Sequence, residues 1–241
     1  DETVGVNQLG ISLAKTRESY RTQIDLLYGR DAYHFQSFMN EQNQWDLSDS
    51  FSHGAYAIAI PQLFVETTLN DWAIKAGHFL FNSTSGLYSN DRFFASRTFA
   101  ETAFLGPHTL SGITAARQFE KTEMTVGWAA GANTGFASDS ESSDVFVLGA
   151  NHQFSDKLIL TYSALIGDFI AFPFEDTDYY HELNIAYQLF DNLTLDVTHV
   201  EYNTTASFEI WRQSAHYKIN DTLTLGERYE SFVADTLVIE S

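Results

Sequence analysis

The chain has 241 residues, of which 44% are hydrophobic and 15% aromatic, so it is not intrinsically disordered. Its net charge of −19 argues against a nucleic-acid-binding protein, because such proteins need an excess of Lys and Arg. The absence of Cys excludes a disulfide scaffold and a thiolate metal site. No apolar run reaches the roughly 18 residues that suggest a membrane-spanning helix, and no signal peptide is visible at Asp1.

Apolar and polar residues alternate with a period of two along most of the chain, which is typical of β-strands that have two different faces. At residues 20–30, for example, Tyr20, Ile24 and Tyr28 share one face, while Arg21 and Asp25 share the other. The predicted strands, in chain order, are residues 4–15, 20–30, 55–68, 72–81, 108–119, 123–134, 144–154, 158–168, 178–189, 193–203, 207–219 and 222–234.

The predicted connections are of two kinds, and in the first two thirds of the chain the two kinds alternate. Short polar turns are predicted at residues 16–19, 69–71, 120–122, 155–157, 190–192 and 220–221. Longer loops are predicted at residues 31–52, 82–107, 135–143 and 169–177. Bacterial outer-membrane barrels have short periplasmic turns and longer extracellular loops, and aromatic residues near both strand ends. The pattern therefore predicts a transmembrane antiparallel β-barrel with its turns in the periplasm.

A soluble β-sandwich also consists of short alternating strands. Here, however, charged residues recur on one face in strand after strand, which a water-filled lumen explains better than the surface of a sandwich. The residues of this mixed-charge face are Arg21, Asp25, Lys75, Arg117, Glu182, Arg212, Lys218, Arg228 and Glu230.

Residues 1–241 are expected to form one barrel domain. Counting the connections places both ends of the chain on the loop side, whereas a bacterial barrel normally starts and finishes in the periplasm. We therefore expect at least one further strand before Asp1 and at least one after Ser241, which gives an intact barrel of 14–16 strands.

Several segments resemble the OmpL-like β-barrel porin family of Gram-negative bacteria. The similar segments occur in the family's order, at residues 24–32 (IDLLYGRDA), 60–66 (IPQLFVE), 74–79 (IKAGHF), 90–96 (NDRFFAS), 108–112 (HTLSG) and 228–232 (RYESF). The resemblance implies a channel in the bacterial outer membrane. It does not indicate which solute passes.

Eight charged residues of the mixed face are predicted to line the pore: Arg21, Asp25, Lys75, Arg117, Glu182, Arg212, Arg228 and Glu230. Their field could set ion selectivity, or opposite charges could pair between strands and hold the wall. The loop at residues 82–107 is long enough to have a function of its own. One hypothesis is that it narrows the pore, with Arg92, Arg97 and Glu101 facing water. The alternative is a loop packed over the mouth of the pore.

Neither a metal site nor catalysis is predicted. The eight His residues include no HExxH motif, and the nearest candidate pairs are His181 with Glu182 and His199 with Glu201. No GxSxG motif is present, and no set of Ser, His and acidic residues stands out for an outer-membrane hydrolase.

The sequence thus predicts a porin that passes small hydrophilic solutes or ions by diffusion, without cofactors or covalent chemistry. The alternative is a structural or binding barrel that surrounds a partner protein or acts as a surface receptor. Expected partners are outer-membrane lipids, lipopolysaccharide and further copies of the chain, but not nucleic acid.

Overall fold

The computed structural model describes residues 5–6, 8–30, 32, 56–81, 107–132, 144–171, 174–203 and 207–234, with only the backbone of residues 168–171, 174–178 and 203. Within these ranges, twelve strands form one antiparallel sheet in which each strand pairs with its neighbours in the sequence. The strands are β1 (Leu9–Thr16), β2 (Tyr20–Gly29), β3 (Ala57–Leu69), β4 (Trp72–Leu80), β5 (Thr109–Phe119), β6 (Thr122–Ala132), β7 (Val145–Ser155), β8 (Leu158–Ala171), β9 (Phe174–Phe190), β10 (Leu193–Asn203), β11 (Ser207–Lys218) and β12 (Thr224–Ala234).

The prediction of an all-β fold with twelve strands is confirmed. Among the described residues, β1 and β12 do not pair with each other, so this part of the sheet is open. No helix in the described ranges is long and apolar enough to cross a membrane.

Tight turns join the strands at one end of the sheet, which we call the turn end; the other end is the loop end. Between β3 and β4 the turn consists of Asn70 and Asp71, whose φ angles are 49° and 67°. Two positive φ angles define a type I′ turn, the two-residue connection that matches the twist of antiparallel strands and that Asn and Asp tolerate. The polar turn predicted at residues 69–71 therefore has a specific backbone role.

One predicted loop is largely strand. Residues 169–177 are aromatic and acidic, which suggested a loop, yet β8 continues to Ala171 and β9 begins at Phe174. Phe169 pairs with Thr177, and Ala171 pairs with Phe174. The two strands thus extend the sheet beyond the ends of their neighbours at the loop end.

The two faces of the sheet differ in what they expose. One face, which we call outward, presents large apolar side chains to the surroundings, including Ile113, Val126 and Phe146. The opposite, inward face carries most of the buried residues, among them the charged residues Asp25 and Glu182. Soluble proteins do the reverse, since they bury the apolar face. The arrangement is that of a membrane barrel, in which lipid covers the apolar side.

Aromatic residues on the outward face form two bands. Tyr20 and Tyr28 both face outward on β2, and Tyr187 and Tyr179 do so on β9. Within each pair the residues lie eight positions apart, about 27 Å along the strand at roughly 3.4 Å per residue. A strand tilt of roughly 40° reduces this to about 20 Å along the membrane normal, close to the roughly 25 Å apolar band of outer-membrane barrels. The bands therefore mark the two interfaces of the membrane.

Glycine allows β3, β4, β5 and β6 to approach each other closely. Gly77 has a φ of 133°, and a Cβ atom there would lie 2.4 Å from the carbonyl oxygen of Leu63. A Cβ atom on Gly112, the register partner of Gly77, would lie 2.1 Å from the carbonyl oxygen of Trp128. No side chain fits at either position without moving backbone.

Replacement of Val126 by Arg is expected to destabilise the folded protein by about 2–4 kcal/mol, because the charge would enter the apolar part of the bilayer. The matched control is Thr125→Arg, which adds the same side chain to the inward face at the preceding residue. Urea unfolding in lipid vesicles measures the free energy of unfolding of both variants. Equal stabilities for the two would contradict the assignment of faces.

Replacement of Gly77 by Ala is expected to lower the free energy of unfolding by about 1–3 kcal/mol, since an L-residue is strained at this φ. Gly149→Ala is the control, because its Cβ atom would meet the Thr125 side chain at 3.2 Å and its φ lies outside this region. The same urea titration compares the free energies of unfolding of the two variants. A stable G77A together with a strongly destabilised G149A would refute the explanation by backbone strain.

Candidate pore-lining site

Seven of the eight residues predicted to line the pore lie on the inward face. The strand register connects them, because Glu66 pairs with both Arg21 and Lys75, and Arg212 pairs with Glu230. Partners in a register share a face of the sheet. The seven are Arg21, Asp25, Lys75, Glu182, Arg212, Arg228 and Glu230.

Arg117 lies on the outward face, opposite to the face on which the sequence pattern placed it. Its register partner is the exposed Met124, and its guanidinium lies 5.8 Å from the ring of Trp72 and 5.1 Å from that of Phe119. It also forms an ion pair with Asp71 at 3.4 Å. These contacts hold the charge in the aromatic band nearest the turn end, where long cationic side chains reach the aqueous interface. Arg117 is therefore removed from the predicted lining.

The predicted constriction residues Arg92, Arg97 and Glu101 lie outside the described residues. So does the rest of the loop except Pro107.

Two buried and oppositely charged residues of the inward face, Glu182 and Arg212, lie on β9 and β11. Glu182 is 2% exposed and accepts a hydrogen bond from the Tyr180 hydroxyl at 2.8 Å. Arg212 approaches the other oxygen of Glu182 to 4.0 Å and donates to the hydroxyl oxygen of Thr198 at 3.1 Å. Asn184 donates to the same hydroxyl oxygen at 2.9 Å. These interactions span three strands, so both charges are paired and also hydrogen-bonded, as burial of charge requires.

A second buried carboxylate is held by neutral donors. Asp25 on β2 is 1% exposed. It accepts hydrogen bonds from Ser12 on β1 at 2.6 Å, from Gln23 at 3.0 Å and from Gln62 on β3. Because the donors come from three neighbouring strands, the carboxylate ties this edge of the sheet together. Asp25 therefore holds the wall through neutral donors, whereas the pairing of opposite charges between strands describes Glu182 and Arg212.

Lys75 and Glu66 form a more accessible ion pair. Their charged atoms lie 3.8 Å apart, and the side chains are 26% and 30% exposed. The Lys75 ammonium also lies 5.0 Å from the ring centre of Phe64 and 5.7 Å from that of Phe79. A pair of this exposure contributes about 0–1 kcal/mol to stability. Its charges are therefore available to act on passing ions.

Toward the loop end the inward face changes from polar to apolar. Phe79, Leu110 and Leu165 are between 0% and 3% exposed and belong to one cluster that extends around the described sheet. The lining thus has a polar zone near the turn end and an apolar zone near the loop end.

A group that the sequence pattern did not predict lies on the outward face. His181, His199 and Glu201 bring three potential metal-ligand atoms within 4.8 Å of one another. His199 and Glu201 had been recognised as a pair, but Glu182 lies on the other face, and the third member is His181. The group joins two strands, so no local motif could have indicated it.

Known structures confirm the fold at low sequence identity. The loop L8 deletion mutant of OmpT, an outer membrane protein of Vibrio cholerae, is 15% identical, with 98% of this chain and 77% of that chain covered and a TM-score of 0.58. In-vitro folded OmpT in its trimer form is 14% identical, with 99% and 74% covered and a TM-score of 0.60. OpdQ of Pseudomonas aeruginosa is 10% identical, with 92% and 59% covered and a TM-score of 0.51.

No curated protein sequence matches the chain. A family model does, and it covers residues 1–239, nearly the whole length. It agrees with the apolar outward face, the charged inward face and the resemblance found in the sequence. The chain belongs to the family described as "Putative beta-barrel porin-2, OmpL-like" and is a porin of the bacterial outer membrane.

Proposed function

We propose that small hydrophilic solutes or ions diffuse along the inward face and are sorted by size and by the field of the lining charges. The observation that carries this proposal is the burial of ionisable side chains on the inward face, opposite an apolar outward face. Rings of charged side chains are a common way for a pore to select ions. Diffusion of this kind needs no covalent step and no cofactor.

The net charge of −19 favours cations, but the lining charges are mixed, so this preference is weak. Two acid–base contacts recur on the inward face, Lys75 with Glu66 and Arg212 with Glu182. Each contact cancels much of its own field. We propose a weak preference for cations, with Arg21, Asp25, Arg228 and Glu230 completing the lining.

We also propose that the protein forms homo-oligomers and contacts lipid and lipopolysaccharide through its outward face. OmpT of Vibrio cholerae, whose fold is similar, has been solved in a trimer form. The exposed apolar residues between the two aromatic bands supply the lipid-facing surface.

Single-channel recording in a planar bilayer, with a salt gradient, tests the channel proposal. The expected result is stepwise conductance and a reversal potential of the sign that favours cations. A folded protein that never conducts would instead support the alternative of a barrel that surrounds a partner or serves as a receptor.

Neutralising one member of the accessible ion pair is expected to shift the reversal potential. Lys75→Gln removes a positive charge, so the preference for cations increases; Glu66→Gln has the opposite effect, and the double variant returns close to the original value. Arg117→Gln is the matched control, because it removes the same charge from the outward face. A shift caused by R117Q as large as that caused by K75Q would contradict the placement of the charges.

The constriction hypothesis for residues 82–107 stays a proposal, and the strands on either side of the loop support it. Phe79 and Phe81 precede the loop and Leu110 follows it, and their exposures are 3%, 6% and 1%. They belong to the apolar cluster of the inward face. A loop that folds inward from these two strands would find an apolar surface to pack against.

Replacement of residues 83–105 by a short Gly/Ser linker is expected to increase single-channel conductance severalfold, because it would remove the narrowest part of the path. Deletion of residues 135–141 from the β6–β7 connection is the control and should leave conductance unchanged. Unaltered conductance in the first variant, with a folded barrel, would show that the loop does not restrict the pore.

A further inference from the structure

The group of His181, His199 and Glu201 lies on the outward face at the level of the loop-end aromatic band. His181 is the register partner of Glu201 across β9 and β10. His199 shares the face of Glu201 because the two are two residues apart on one strand. On β11, Trp211 is the register partner of His199, and its ring centre lies 4.4 Å from that of the imidazole. The group is therefore at the membrane interface, outside the pore.

The distances suit a bound transition-metal ion. Nε2 of His181 lies 3.3 Å from Nδ1 of His199 and 3.8 Å from a carboxylate oxygen of Glu201. Two imidazole nitrogens bound to one zinc ion at about 2.0–2.1 Å, in tetrahedral geometry, are about 3.3–3.4 Å apart. The carboxylate is close enough to become the third ligand after a small rotamer adjustment.

The second nitrogen of His199 has the partner that a metal-bound histidine usually has. Its Nε2 lies 3.1 Å from a carboxylate oxygen of Glu209, which also accepts a hydrogen bond from the indole N–H of Trp211. A histidine that donates one N–H to a carboxylate directs the lone pair of the other nitrogen to the metal, and such partners raise metal affinity. Glu209 thus fixes the tautomer in which Nδ1 of His199 faces His181.

Hydrogen bonds alone do not join Glu201 to His181. The 3.8 Å separation between Nε2 of His181 and the Glu201 oxygen exceeds the length of a hydrogen bond. A cation at the centre would bind the lone pairs of both histidines together with the carboxylate.

From this geometry we propose that His181, His199 and Glu201 bind one divalent transition-metal ion of the zinc class, with Glu209 as the positioning residue. Two nitrogen ligands and one carboxylate favour zinc over calcium or magnesium, which take oxygen ligands. The ion links β9 directly to β10 and, through Glu209, to β11. It fastens the barrel wall from the membrane side and does not depend on what passes through the pore.

Calorimetric titration of the refolded full chain with Zn²⁺, in detergent and without a histidine tag, tests the proposal. The expected result is one ion per chain. His199→Ala should weaken binding by at least about tenfold, and Glu209→Gln by about tenfold, which is the usual effect of losing the partner of a metal-bound histidine. Titration with Co²⁺ should give the absorption bands of a tetrahedral complex.

The matched control is His152→Ala. His152 is also an outward strand histidine, but its Nδ1 lies 2.7 Å from the Thr122 hydroxyl at the turn end, and its loss should not alter binding. Absence of stoichiometric Zn²⁺ binding by the folded original chain would refute the proposal. So would unchanged binding by His181→Ala and His199→Ala, or displacement of the ion by equimolar Ca²⁺. Stoichiometric Zn²⁺ binding and displacement by Ca²⁺ are both measured on the original protein, so these two results hold even if a variant does not fold.

Discussion

The structure depends on one constraint, which is that every backbone N–H and C=O group inside a bilayer must find a partner within the protein. From β2 to β11 the strands meet it by pairing on both sides with their neighbours in the sequence, whereas β1 and β12 each pair on one side among the described residues. Each short turn, such as Asn70–Asp71, keeps the next strand adjacent, so the ladder continues without a crossover. Since lipid satisfies no backbone group, the side chains are left to define the two faces: apolar groups outward and polar groups inward. The inward position of Asp25, Glu182 and Arg212 follows from that division.

The polar groups on the inward face serve the wall as much as the pore. Asp25 is held by donors from three strands, and Glu182 and Arg212 reach Tyr180 and Thr198 across a comparable span. Removing one partner of such a buried pair leaves an uncompensated charge, which costs about 3–5 kcal/mol. The Lys75–Glu66 pair is different, because it is partly exposed and contributes little to stability. The two pairs thus differ in what they contribute to the wall, and the selectivity proposed for the lining falls to the more exposed one.

Much of the architecture could be predicted from the sequence, because a period of two and polar turns are local signals. The predictions fail where the alternation of apolar and polar residues is weak. Ala115 and Ala116 are both small, so the alternation before Arg117 does not reveal its face. Register is not local either. A bulge between Leu193 and Thr194 shifts the β9–β10 pairing by one residue. Without it, the two-residue turn would oppose His181 to Tyr202, and the histidines would not meet Glu201; a one-residue slip changes every facing pair.

The extension of β8 and β9 has a consequence for how the protein meets the exterior. Their backbone pairing continues for several residues past Tyr179, which marks the aromatic band. An unstructured loop of the same length would exchange its amide hydrogens as fast as other mobile segments do, and it would be open to proteases. The paired segments of β8 and β9 protect those amides and offer no extended stretch for a protease to bind. At this point the barrel presents ordered backbone beyond the membrane, as a fixed surface that a large external molecule would meet in one conformation.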